Sequence, residues 1–137
     1  TEKFFEETEA YAYWEECDGK FRISGEASNG LEALELLRKQ KIDLVLTDIR
    51  MPMVDGISLL KQIKQEKLCS CVILLSEYAE FSYAREGILN GAFDYIVKPI
   101  DNAKVEDSFE RAYTFLCSIS ETVPPVYIIS MPWQNIS

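Results

Sequence analysis

At 137 residues the chain has the length of one domain, long enough to bury a core and short for two. Apolar types make up 47% and charged types 27%, a balance that excludes disorder, collagen-like repetition and a disulfide-dense miniprotein. With 14 Lys+Arg against 23 Asp+Glu the net charge is −9, so a phosphate backbone is repelled and direct nucleic-acid binding by this chain is not expected.

No apolar run approaches the roughly 20 residues of a membrane span. Thr1-Glu2-Lys3 does not open a signal peptide, so a cytoplasmic protein with no membrane contact is expected. Histidine is absent, which excludes catalytic triads, Cys-His dyads and His-bearing zinc sites. Cys17, Cys69, Cys71 and Cys117 form no C-x-x-C pair and read as reduced thiols, some of them core filler. Cys69 and Cys71 would share one face of a strand, but two thiolates without other ligands make a poor zinc site.

In chain order, Phe4, Phe5, Tyr11 and Ala12 predict an amphipathic helix over 2–16, ending before Asp18-Gly19. Phe21-Arg22-Ile23-Ser24 alternates as a half-exposed edge strand does. Ser28-Asn29-Gly30 starts a helix whose face is Leu31, Leu34 and Leu37, running to about Gln40. An apolar strand from Ile42 to Thr47, interrupted only by Asp43, stops at Asp48. Beyond Met51-Pro52 and Asp55-Gly56, the residues Ile57, Leu60 and Ile63 mark another helix. Cys71-Val72-Ile73-Leu74-Leu75 is the continuous run of a strand covered on both faces. Phe81, Ala84 and Ile88 define a helix that Asn90-Gly91 can end, and Asp94-Tyr95-Ile96-Val97 is the next strand. Val105, Phe109, Ala112 and Leu116 predict a helix over 103–118.

This alternation implies an α/β fold, a doubly wound parallel sheet. In such sheets chemistry gathers beyond the carboxyl ends of the strands. Asp48, Ser76 and Lys98 each follow an apolar strand and should converge on one edge. Taken singly, Asp48 reads as a turn or cap, Ser76 as a cap, Lys98 as a solvated cation and Tyr95 as a half-buried strand aromatic. Together they form a carboxylate nucleophile, a hydroxyl donor and a fixed cation. A carboxylate can attack a phosphoryl donor and become an acyl phosphate, whose oxygens a lysine and a hydroxyl stabilise.

The segment Asp43-Leu-Val-Leu-Thr-Asp48-Ile-Arg-Met-Pro52 with Asp55-Gly56 resembles the phosphoacceptor segment of response-regulator receiver domains. Ser76, Lys98-Pro99 and Tyr95 fall at that family's positions for the hydroxyl, the lysine and the aromatic switch, over about residues 2–118. Trp14-Glu15-Glu16, Gly25-Glu-Ala-Ser-Asn-Gly30 and Glu80-Phe81-Ser-Tyr-Ala84 are most similar to receivers that precede AraC-type DNA-binding domains. The resemblance implies a flavodoxin-like five-stranded sheet of order 2-1-3-4-5 in two-component signalling. It further implies that Asp48 accepts a phosphoryl group from a sensor histidine kinase, with Lys98 pairing to that group. Ser76 would move toward the acyl phosphate and Tyr95 would turn inward behind it. The Arg50 carbonyl would be a Mg2+ ligand beside Asp48, and the face built from 81–118 would bind a partner or a second copy as a homodimer.

The family's first strand is central and ends in an acidic pair that helps bind magnesium; here that pair would fall before Thr1. A receiver domain over 1–120 therefore lacks its first strand, and a slot of unpaired backbone is costly. In the tail, 121–137, the run Val126-Tyr127-Ile128-Ile129-Ser130 follows Pro124-Pro125. Three outcomes stay open: a circularly permuted sheet with 126–130 as its central strand, a disordered tail, or insertion into a neighbouring molecule. In each the acidic pair is missing, since Ser130, Met131 and Pro132 are not acids; Glu2 is a substitute or only a favourable helix-N-terminal charge. Weak magnesium binding and slow or absent phosphorylation are expected. A degenerate receiver, acting as a phosphorylation-independent interaction module, is the alternative. A phosphatase with an aspartyl-phosphate intermediate is disfavoured, because Asp48-Ile49-Arg50 lacks a second carboxylate as acid/base. Arg85, Glu86 and Arg111 read as solvated helix charges, and Trp133 is left unassigned.

Overall fold

Strands and helices alternate through a computed structural model that describes residues 20–50, 53–76, 81–97, 102–119 and 126–130. In order they are β1 (Phe21–Glu26), α1 (Gly30–Lys39), β2 (Leu44–Asp48), α2 (Gly56–Glu66), β3 (Cys71–Ser76), α3 (Phe81–Leu89), β4 (Asp94–Val97), α4 (Asn102–Ser118) and β5 (Val126–Ser130). The expected helix over 2–16, with Glu2 and Trp14, lies outside the described residues. So do Cys17, Met51, Pro52, Lys98, Pro99, Met131, Pro132 and Trp133.

The helices start and stop where short polar side chains and glycine dictate. Asn29 caps α1 by accepting the Glu32 N–H at 3.0 Å, while the Glu32 carboxylate accepts the Ser28 N–H at 2.8 Å. Asp55 caps α2 by accepting the Ser58 N–H at 2.8 Å, and Lys67 ends it in the left-handed region at φ 56°. Gly91, at φ 101°, turns the chain out of α3 while the Ala92 N–H returns to the Gly87 carbonyl at 3.0 Å.

The five strands form one sheet in the order β1-β5-β2-β3-β4, with every adjacent pair parallel. β2 and β3 are buried along their whole length, as their continuous apolar runs require. Alternate residues feed two cores. Leu44, Leu46, Ile73, Leu75, Val126 and Ile128 pack with Val105, Phe109, Ala112 and Leu116 of α4. On the other face Val45, Val72, Leu74 and Ile129 meet apolar residues of α1 and α2 together with Ala84 of α3. β1 lies at the sheet edge, paired only to β5 among the described strands.

Of the three placements left open for Val126–Ser130, the chain adopts the first: the segment lies between β1 and β2. Its ladder runs Phe21↔Val126 to Glu26↔Ser130 on one side and Leu44↔Ile128 to Leu46↔Ser130 on the other. A register shift between Ile23 and Gly25 absorbs one residue of β1. β2 starts at Leu44, two residues later than the apolar run predicts. The reason is Asp43, whose carboxylate accepts the Tyr127 N–H at 2.9 Å where a regular ladder would use a backbone carbonyl. Glu86 and Arg111 do more than meet solvent. Glu86 pairs with Lys61 at 3.3 Å, and Arg111 holds Asp94 at 2.5 Å and Asp107 at 2.9 Å while lying over the Phe93 ring. Arg85 is exposed, as expected.

Candidate functional site

The carboxyl edge of the sheet collects the polar residues that end its apolar strands. Asp48 and Ser76 are the last residues of β2 and β3 rather than the first after them, and each is about as buried as the core. Asp48 lies opposite Leu75, one position short of Ser76, so the two close neighbouring strands at the same edge. Ser76 in turn lies opposite Val97, the residue before Lys98. Tyr95 lies opposite Leu74 and packs partly against the core on the α1–α3 side, the side whose parity Ser76 shares. Asp48 has the parity of Leu44 and Leu46, toward α4.

The backbone behind Asp48 is tightly determined. The Thr47 hydroxyl donates to the Asp48 carbonyl at 3.0 Å, and the Ile49 N–H extends the β2–β3 ladder to the Leu75 carbonyl at 3.0 Å. The Gly56 N–H then donates to the Ile49 carbonyl at 2.7 Å, drawing the loop after Asp48 back onto the strand. Gly56 packs so closely that a Cβ there would collide with the Asp48 carbonyl and the Ile49 Cα, 2.9 Å from the latter. The Arg50 N–H approaches Asp48 Oδ1 at 3.4 Å, a long contact, and the Arg50 side chain is exposed. A buried carboxylate at a strand end, with the Arg50 N–H 3.4 Å from its Oδ1, can act as a nucleophile, while Ser76 closes the neighbouring strand on the opposite face by parity.

Among the described residues the donor set does not make a tight magnesium site. Hard cations take carboxylate, carbonyl and water oxygens. At the ends of β2 and β3 the described residues supply one carboxylate, Asp48, with the Arg50 carbonyl beside it in sequence. Ser130 pairs with Leu46, so β5, the strand flanking β2 on the β1 side, ends in a hydroxyl-bearing residue followed by Met131 and Pro132. Glu26, which ends β1, is exposed and separated from β2 by β5, two strand spacings or about 10 Å away. Among the described residues no group of three His, Cys, Asp or Glu side chains could hold a metal.

Burial excludes Cys69 and Cys71 from thiolate chemistry. It pushes the Cys69 thiol up to about 12 and raises Cys71 further above its ordinary value. Asp43, which the apolar strand pattern passes over as an interruption, proves to be the buried polar contact of β5. Its signal in the sequence was the interruption itself. Beside β4 and α4 an open groove of about 530 Å³ is lined by Asp94, Tyr95, Val97, Lys104, Asp107 and Arg111.

Residues 12–110 match the family described as the response regulator receiver domain. The transcriptional regulatory protein ZraR of Escherichia coli K12 is 38% identical over 100 residues, covering 73% of this chain and 23% of that protein. The transcriptional regulatory protein HptR of Staphylococcus aureus N315 is 42% identical over 90 residues, covering 65% of this chain and 34% of that protein. The chain thus spans about a quarter to a third of these curated relatives. Among solved structures, the REC domain of AraT, a response regulator from Geobacillus stearothermophilus, superposes with a TM-score of 0.61 at 32% identity, over 66% of this chain and 70% of that one. A receiver domain protein from Clostridium thermocellum also gives 0.61, at 28% identity over 65% and 72% of the two chains.

Proposed function

The chain belongs to the response-regulator receiver family of two-component signalling, and from that premise we propose that Asp48 is its phosphoacceptor. The observation that supports this is the burial of Asp48 and Ser76 at the ends of the adjacent strands β2 and β3, with β4, on the far side of β3, followed in sequence by Lys98. In the proposed step an Asp48 carboxylate oxygen attacks the phosphorus of a phosphohistidine on a sensor kinase. The P–N bond breaks as the new O–P bond forms, and the imidazole leaves with its electron pair. Lys98 offsets the charge on the phosphoryl oxygens, and the Ser76 hydroxyl donates to one of them. Tyr95 follows Ser76 by turning toward the space it vacates. The 81–118 face, with its groove beside β4, then meets a partner or a second copy. Residues 1–120 form the receiver unit in this reading, and the tail 121–137 supplies its central strand. The chain acts as a switch rather than a turnover enzyme.

Exposure of the chain to acetyl phosphate followed by intact-mass measurement tests the assignment. One added phosphoryl group that vanishes in Asp48→Asn is expected, formed slowly. An adduct that persists in Asp48→Asn overturns the assignment of the residue. That Asp48 is the one carboxylate at this edge among the described residues favours a second reading, a phosphorylation-independent interaction module, and complete absence of adduct selects it. Calorimetric titration with magnesium should detect no tight binding. Tight binding lost in Asp48→Asn would show that acids outside the described residues complete the site.

A further inference from the structure

The amino edge of the sheet, opposite Asp48 and Ser76, holds a second concave site. Lys41 and Asp43 before β2, Lys67, Cys69 and Ser70 between α2 and β3, and Ile119 just past α4 line a pocket of about 220 Å3 there. The length of β2 from Leu44 to Asp48, about 13 Å, separates it from the acceptor edge.

The floor is charged where burial makes charge costly. The Asp43 side chain is only 6% exposed. Its Oδ2 accepts the Tyr127 N–H at 2.9 Å, but for Oδ1 the partner among the described residues is the Lys41 ammonium, 3.9 Å away and beyond hydrogen-bond reach. A buried carboxylate oxygen without a donor carries a desolvation cost that a donor entering the pocket would remove. The walls have the opposite sign. Lys41 and Lys67 are exposed, and Lys67 makes no ion pair among the described residues. Lys67 ends α2 at φ 56°, where its N–H and that of Leu68 both return to the Ile63 carbonyl, so the cap fixes where its stem begins. Cys69 adds no charge, since burial keeps its thiol protonated. Two ammonium groups against one carboxylate leave the pocket at +1 in a chain of net charge −9.

A simple anion would meet the Asp43 carboxylate there, and a simple cation would meet both lysines. One ammonium and two carboxylates on a single molecule match the pattern. The volume lies below the roughly 300–1,000 Å3 of sites for drug-sized ligands, which restricts that molecule to a small one. We propose that the pocket binds a free acidic amino acid, glutamate or aspartate. Its ammonium donates to Asp43 Oδ1, its carboxylates meet Lys41, Lys67 and the Ser70 hydroxyl, and its methylenes lie against Ile119. The site is separate from the phosphoacceptor reading and stands whether or not Asp48 is ever phosphorylated.

Titration of the isotope-labelled full chain with L-glutamate and L-aspartate, followed by amide NMR, tests this. Saturable shifts at Asp43, Leu68, Cys69 and Ser70 are expected with at least one of the two, while the amides of Asp48 and Ser76 stay unmoved. Lys41→Gln and Lys67→Gln, which keep most of the aliphatic stem, should each weaken binding about fivefold, the upper end for a solvent-facing ion pair. Glutarate, which lacks the ammonium, should bind at least about tenfold more weakly than glutamate, the loss of a hydrogen bond between charged groups. It takes the place of an Asp43 variant, which would also disturb β5. No saturation by about 10 mM with either amino acid would overturn the proposal. So would shifts confined to other surfaces, glutarate binding as tightly as glutamate, or an unchanged affinity in either lysine variant.

Discussion

Gly56 shows how little freedom the acceptor end of β2 has. Its N–H closes the loop onto Ile49, and any side chain there would run into backbone, which yields less readily than a flexible side-chain tip. Gly56→Ala should therefore lower stability by about 2 kcal/mol, read as a reduced urea midpoint, and should slow phosphoryl acceptance by shifting the Asp48 backbone. The thiols give a second test at this scale. Cys117 is exposed while Cys71 is buried and Cys69 is held protonated up to about 12. A disulfide reagent at mildly alkaline pH should label Cys117 well ahead of Cys69 and Cys71, as peptide mapping after partial reaction would reveal. Asp48, Ser76 and Tyr95 were legible in the sequence because each stands in or at the end of an apolar run, where a polar or aromatic side chain is conspicuous. Asp43 was equally visible, but its partner lies 84 residues away and no local pattern points to it.

Between elements, α1 and α2 are tied by Arg38 and Glu66. The guanidinium donates through Nε at 2.9 Å and through a terminal nitrogen at 2.6 Å, and the Gln62 amide adds a donor to the same carboxylate. These donors, Arg38 first, hold the Glu66 carboxyl down to about 2 from its ordinary 4.5. A carboxyl depressed in the folded state contributes its stability above the unfolded value and loses it as pH falls through the folded one. The difference in urea midpoint between the chain and Glu66→Gln should thus be constant above about 4.5 and vanish as pH approaches about 2. The pair is solvent-facing, so the difference should be small and should shrink with added salt. Element boundaries were readable to within two residues because caps and glycines are local signals, as at Asn29, Asp55 and Gly91.

For the whole molecule, the interior position of β5 between β1 and β2 makes this last described strand essential to both cores. Ile128 is 1% exposed and packs with Leu44, Leu46 and Phe109 in one core, while Ile129 enters the other. Ile128→Ala should cost about 2–5 kcal/mol, more than an exposed truncation such as Leu89→Ala, as thermal or urea unfolding would measure. The α/β class, the order of elements and the candidate edge were determined by the sequence alone, because periodicity, caps and strand-terminal polar residues act over a few positions. Which segment occupies the slot beside β2 was decided only by the tertiary structure. An apolar run such as Val126–Ser130 is equally at home in several places until the free edges of β1 and β2, and the carboxylate of Asp43, offer its backbone partners from distant parts of the chain.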